Sequence, residues 1–177
     1  MPARLRLYLA ISLDGFIASS DGGVAWLEKF PAEAFGFDEF LATIGTIVMG
    51  RAAYEQALGL VPWAYAGKRT IVMTSTPLDA PRPGVEAWRG EVANLAASLK
   101  RSSGGDVWLF GGAKSLQAFL ARGLVDRIEL FVIPTLLGTG IRLFENSAPV
   151  DLRLLEAKPR ALGVVELLYE PATHRQS

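Results

Sequence analysis

Apolar residues along this chain come in two alternating rhythms. Short, nearly unbroken runs occupy residues 5–13 (LRLYLAISL), 46–49 (TIVM), 70–73 (TIVM again), 107–110 (VWLF) and 127–133 (RIELFVI), with a further stretch at 85–88 (VEAW). Runs of this length and composition suit strands buried in a sheet. Between them the spacing opens to three and four residues. Phe37, Phe40, Leu41 and Ile44 predict an amphipathic helix over 32–44 behind Pro31, and AAYEQAL after Arg51 is good helix sequence. Val92, Leu95, Ala96 and Leu99 share one face of a helix at 92–101. Ala113, Leu116, Phe119 and Leu120 do the same up to Gly123, a C-terminal cap with Leu124 as its hydrophobic partner. In 127–133, Ile128, Leu130 and Val132 alternate with Arg127, Glu129 and Phe131, so one face is expected to be drier. LRLLEA and ALGVVELLYE, joined at Lys158-Pro159-Arg160, predict a terminal antiparallel hairpin.

Strands alternating with helices imply an α/β fold whose sheet is mostly parallel in the middle and made mixed by that hairpin. Ligands of such sheets bind at the carboxyl ends of the strands. The junctions after Met49, Met73 and Phe110 are therefore expected to share an edge. The last reads VWLFGGAKSL, where Gly111 and Gly112 let the backbone turn sharply and let a ligand approach the main chain. The amides from Ala113 to Ser115 would then face an anion at the positive end of a helix dipole; tight helix–sheet packing is the plainer reading of the same glycines. Gly50-Arg51 repeats the strand, glycine, helix junction, with Arg51 either facing a phosphate or solvated at a helix start. At Thr74, Ser75 and Thr76 hydroxyls replace glycine, for phosphate or ribose oxygens or for a turn before Pro77. The loop from Asp14 to Trp26 could lie over such a ligand or be an ordinary surface connection.

At 177 residues the chain fits one domain, 1–171, with a polar tail at 172–177 expected to be disordered. Lysine plus arginine equals aspartate plus glutamate at 18 each, so no net charge draws it to nucleic acid or an anionic membrane. It has no cysteine, which removes disulfides, thiolate nucleophiles and cysteine-based metal sites, and no metal is expected. Its one histidine, His174, lies in the tail, away from any Ser-His-Asp arrangement. No apolar span has membrane length, and a cytoplasmic location is the expectation.

The pieces SLDGFIA (12–18), VMGRAAYE (48–55), VMTSTP (72–77) and WLFGGAKSLQAFLARGLVDRIELFVIPTLLGTGIRLF (108–144) resemble, in this order, the dihydrofolate reductase fold, and more closely its bacterial branch that includes the riboflavin biosynthesis reductase domain. The resemblance implies a three-layer α-β-α dihydrofolate reductase-like fold and an oxidoreductase that transfers hydride from NADPH to a C=N or C=O carbon. Ala10 and Ile17 would border the nicotinamide. Phe110, Gly111, Gly112, Ala113, Lys114 and Ser115 would wrap the pyrophosphate, with Gly50, Arg51, Ala52 and Ala53 approaching from the opposite helix. Thr74, Ser75 and Thr76 would lie at the adenosine ribose and its 2′-phosphate. The family often has a hydroxyl residue where Ala53 stands and a basic residue near Thr76, so NADH is not excluded as the donor. Its substrate acid falls at Asp38 or Glu39, either of which is also a natural helix-start residue, and the threonine that partners this acid is replaced by Phe131 or Ile133.

Asp14 is the other catalytic candidate, orienting substrate or the nicotinamide amide, or else shaping its turn. Trp26 and Phe37 are candidate substrate walls as well as candidate packing residues. The expected partner is a small heterocyclic, pyrimidine or pterin-like molecule; a cofactor- or ligand-binding protein without chemistry is the alternative. The chain lacks a deaminase zinc motif, so within a riboflavin pathway it would perform only the reduction. The apolar strand at 127–133 with the late loop fits either a homodimer interface or a buried central strand.

Overall fold

The computed structural model describes residues 2–59, 63, 65–79, 81–102, 104–145 and 149–172; the tail from 173 onward, His174 included, lies outside the described residues. The chain begins with β1 (Leu5–Ser12) and the short β2 (Phe16–Ala18), then α1 (Phe37–Thr43), β3 (Ile44–Gly50), α2 (Arg51–Leu58), β4 (Arg69–Met73) and β5 (Val85–Trp88). It continues with α3 (Val92–Ser102), β6 (Asp106–Gly111), α4 (Ala113–Leu120), β7 (Arg127–Ile133), β8 (Ile141–Arg142), β9 (Leu152–Pro159) and β10 (Val165–Pro171).

Eight strands form one sheet in the order β5-β4-β3-β6-β1-β7-β10-β9. The six from β5 to β7 are mutually parallel, and β10 runs against both β7 and β9. The period of two along each strand sends alternate residues to opposite layers. Leu5, Leu7, Val107, Leu109 and Ile128 pack with Leu95 and Leu99 of α3 and Leu116 and Phe119 of α4. On the other face Tyr8, Ile47, Met49, Trp108 and Phe131 pack with Phe40 of α1 and Tyr54 and Ala57 of α2. The result is the expected three-layer α-β-α arrangement.

Three expectations need correction. The helix predicted over 32–44 is broken: Ala32–Phe35 is a 3-10 turn, Gly36 takes φ 63, and α1 starts only at Phe37 and ends at Thr43, leaving Ile44 to β3. The strand at Arg127–Ile133 has no wet face, because Glu129 and Phe131 are as buried as Ile128 and Leu130; it is the buried central strand, lying between β1 and β10. The hairpin turns later than expected, since Pro159 still pairs with Val165 and the reversal occupies residues 160–164.

The end of α4 follows the sequence closely. Gly123 takes φ 61, its N–H donates to Leu120 O at 3.0 Å, and the Leu124 N–H donates to Phe119 O at 3.1 Å, a Schellman closure. A Cβ on Gly123 would meet nothing within 4 Å, so Gly123→Ala isolates backbone strain. That strain is about 1 kcal/mol, and in a chain of this size the expected fall in Tm, read by calorimetry, is about 2–4 °C.

Candidate functional site

β3 and β6 are parallel neighbours, with Met49 opposite Gly111, and each runs through glycine straight into a helix. Gly50 precedes α2 and Gly112, at φ 83, precedes α4; neither helix start has a side-chain cap. The first-turn N–H groups of both helices are thus left without a side-chain acceptor on one edge of the sheet. The two starts nearly touch. A Cβ on Gly112 would lie 3.2 Å from Gly50 Cα, and one on Gly50 would lie 2.7 Å from Ser115 Oγ. One strand further out, Arg51 Nη1 donates to Thr76 Oγ1 at 2.6 Å and to Pro77 O at 2.9 Å, with Thr74 Oγ1 at 3.5 Å. Its Nε donates to Glu55 at 2.7 Å. The three junctions read from the sequence therefore do share a rim, with Ala52, Ser75 and Lys114 exposed along it.

Below the glycines lies a cavity of about 750 Å³. Ala10, Ile17, Ala52, Ala53, Phe110, Gly111, Gly112 and Ala113 line it, as does Phe37. Its aromatic floor comes from residues the sequence reading did not assign to a site, Tyr8 and Trp108, together with Phe131. Trp108 Nε1 donates to Tyr8 O at 3.0 Å, and the Tyr8 ring stacks on Phe40 with centroids 3.8 Å apart. The Tyr8 hydroxyl donates to Phe35 O at 2.6 Å. Burial pushes its phenol well above the usual range, and Glu129 and Glu166 push it further. The available signal for Tyr8 was parity, since it lies two residues before Ala10 on the same strand face. Over the mouth, Ile17, Ala18, Asp21, Gly22 and Val24 form a roof that Gln56 Nε2 fastens to α2 by donating to Gly22 O at 2.9 Å.

Other candidates lie elsewhere. Asp38 is exposed on α1 and lines a neighbouring cavity, not this one, and Trp26 is half-buried against the same aromatic core without lining the cleft. Asp14 is held in its turn: it accepts from the Ser12 hydroxyl at 2.6 Å and from the N–H groups of Gly138 and Leu137 at 2.7 and 3.1 Å. The Ser12 hydroxyl above all, then those amides, hold its carboxyl down at about 2, against an ordinary 3.8. A depressed folded pKa stabilises fully above the ordinary value and is lost as pH falls through the folded one. Asp14→Asn is expected to lower Tm at neutral pH and to flatten its fall between pH 4 and pH 2; parallel pH–Tm curves for the two proteins would contradict this role.

The fold as a whole is that of the dihydrofolate reductase-like class. Within it, the chain belongs to the RibD C-terminal domain family, whose model matches residues 60–165. The Bacillus subtilis (strain 168) protein called Uncharacterized protein YwjB is 35% identical over 161 residues, covering 89% of this chain and 92% of its own. Among solved structures, a putative riboflavin biosynthesis protein from Shewanella sp. PV-4 superposes with TM-score 0.85 at 24% identity, over 97% of this chain and 99% of that one. A Thermotoga maritima diaminohydroxyphosphoribosylaminopyrimidine deaminase/5-amino-6-(5-phosphoribosylamino)uracil reductase gives TM-score 0.73 at 18% identity, and 97% of this chain spans 57% of it. An Enterococcus faecalis dihydrofolate reductase complexed with NADP(H) gives 0.72 at 20% identity, over 95% and 96% of the two chains. At these identities the structural likenesses speak for the fold. Among the described residues no helix is long and apolar enough to cross a membrane.

Proposed function

We propose that the chain is a nicotinamide-nucleotide-dependent reductase acting on a small planar heterocycle. The observation that carries this reading is the pair of uncapped helix starts meeting at Gly50 and Gly112 directly above an aromatic-floored cleft. Open N–H donors at two converging helix N-termini fit a pyrophosphate, and Arg51 with Thr74 and Thr76 supplies a polar seat one strand away for a ribose and its 2′-phosphate. NADPH held there by those residues would supply a hydride for a C=N or C=O carbon.

The protein's own share is position and dryness. Ala10 and Ile17 border the reacting end, and Tyr8, Trp108 and Phe131 form a flat floor for the heterocycle. Tyr8 Oη keeps its proton, because it donates to Phe35 O and is buried. Asp21, at the mouth, is the one carboxylate lining the cleft among the described residues; the proton that completes the reduction would enter from solvent at that mouth. Asp14 acts by fixing the turn between Ser12 and Phe16 rather than by touching the substrate.

The test mixes the protein with NADPH, and separately with NADH, and reads the rise in Tm and the change in cofactor fluorescence. Loss of the cofactor's near-ultraviolet absorbance is then followed with dihydrofolate and with a ribosylaminopyrimidine. A second reading, a binding protein that performs no reduction, has one observation in its favour: Phe131 and Ile133, both buried and apolar, occupy the late strand where the family's threonine is expected. Cofactor binding without oxidation across the panel would select that reading, and no effect of either nucleotide on Tm would remove both.

A further inference from the structure

Among the described residues, four side chains lining the cleft carry polar atoms: Tyr8, Trp108, Asp21 and Gln56. The two on the floor spend their protons inside the protein, the Tyr8 hydroxyl on Phe35 O and Trp108 Nε1 on Tyr8 O. The two at the mouth differ. Gln56 Nε2 donates to Gly22 O at 2.9 Å, and because a carbonyl can only accept, that bond fixes which way the amide faces. Its Oε1 is left with no donor among the described residues. Asp21 stands one residue before Gly22 and spends Oδ1 on the Gly23 N–H at 2.8 Å, which leaves Oδ2 open in the same sense. The roof and α2 therefore bring two unpaired oxygen acceptors together at the mouth of the cleft. No lysine or arginine lines the cleft among the described residues, and positions 60–62, 64, 80, 103 and 146–148 are uncharged.

Acceptors without donors call for N–H groups on the guest, since a polar atom desolvated and left unpaired costs more than its hydrogen bond returns. An acidic group on the guest would meet two more oxygens and no counter-charge, the unfavourable case for burying an anion. The helix-start amides at Gly112 and Ala113 offer it no relief, because on the reductase reading they hold the cofactor's pyrophosphate. We infer that the substrate is a flat, uncharged ring system with a ring amine on the edge that reaches the mouth, and that Asp21 and Gln56 are its specificity-determining residues. The inference rests on the reductase reading for the cleft. It adds to that reading a direction for the guest: the apolar ring lies over Tyr8, Trp108 and Phe131, and its N–H edge lies toward the roof.

Equilibrium binding decides it without requiring turnover. The protein is saturated with NADP+ and titrated calorimetrically, near neutral pH, with three matched two-ring probes: 6-aminoquinoline, 6-methylquinoline and quinoline-6-carboxylate. The amine is expected to bind at least about threefold more tightly than the methyl compound, the scale of one hydrogen bond. The carboxylate is expected to bind at least about tenfold more weakly than the amine. Asp21→Asn keeps an oxygen for the Gly23 N–H but turns an N–H outward in place of Oδ2. It is expected to cut the preference for amine over methyl by about threefold and to strengthen the carboxylate by a similar factor. Asp21 is exposed, so this change does not endanger the fold. Gln56→Met removes Oε1 and should also cut the amine's advantage, with Tm read alongside because the tie to Gly22 goes with it. Equal binding of amine and methyl compound, a carboxylate that binds as tightly as the amine, a preference unmoved by Asp21→Asn, or no probe bound by a chain that does take NADP+ would each overturn the inference. Failure to bind NADP+ would instead remove the reductase reading, and the same titrations without nucleotide would still report on the two acceptors.

Discussion

Gly112→Val is expected to raise the Kd for NADPH by at least about tenfold and to cost stability as well. Two independent features make the position intolerant. Its backbone sits at φ 83, ψ 101, where a side chain costs about 1–3 kcal/mol. A Cβ there would also lie 3.2 and 3.3 Å from the Cα and N of Gly50, and backbone atoms yield less readily than the end of a side chain. The strain alone lowers Tm by about 2–12 °C, at roughly 2–4 °C per kcal/mol. The binding loss has a different origin: the starts of α2 and α4 must separate, so their first-turn amides no longer converge on one anion. Gly50→Ala is the informative control. Gly50 has an ordinary φ of −74, and the nearest atom to its new methyl would be Ser115 Oγ at 2.7 Å. Adding Ser115→Ala should therefore restore its Tm. If Gly112→Val loses stability but keeps its affinity for NADPH, the glycine rim is not the seat of the cofactor.

Much of this rim was legible in the sequence for a physical reason. Parallel strands covered on both faces read as unbroken apolar runs, and when TIVM ends in Gly50-Arg51 and VWLF in Gly111-Gly112, the topology of parallel neighbours forces both junctions to one edge. The misreadings came where a partner was distant in the chain or a single residue overrode a periodicity. Phe37, Phe40 and Ile44 keep helical spacing, but Gly36 at φ 63 resets the helix just before them. By alternation Glu129 fell on the face expected to be less dry, yet it is buried against Arg6, which stands 123 positions away. Pro159 looked like a turn, but an edge strand tolerates proline. The cleft's floor was missed because Tyr8, Trp108 and Phe131 come from three separate strands, β1, β6 and β7. No local spacing relates them; register and strand order bring them together.

Arg6→Met is expected to lower Tm by about 6–20 °C, from the roughly 3–5 kcal/mol that follows removal of one partner from a buried ion pair. Arg6 and Glu129 lie on adjacent central strands with side chains 13% and 8% exposed, and Glu129 receives both of its side-chain donors here from Arg6. Methionine fills similar space but leaves that carboxylate without a counter-charge in the sheet. It also removes a guanidinium lying 4.7 Å over the Phe40 ring. Asp106, the other acidic partner of Arg6 at 3.2 Å, is more exposed and is left to water at little cost. The decisive comparison is Arg6→Met/Glu129→Leu. If the deficit comes from an isolated buried charge, removing that charge restores most of the lost Tm, because a well-packed apolar pair can replace a buried ion pair without loss. If the double variant is no more stable than Arg6→Met alone, the guanidinium's contact with the Phe40 ring and its hydrogen bond from Nη1 to Thr43 Oγ1 at 2.9 Å account for the effect instead.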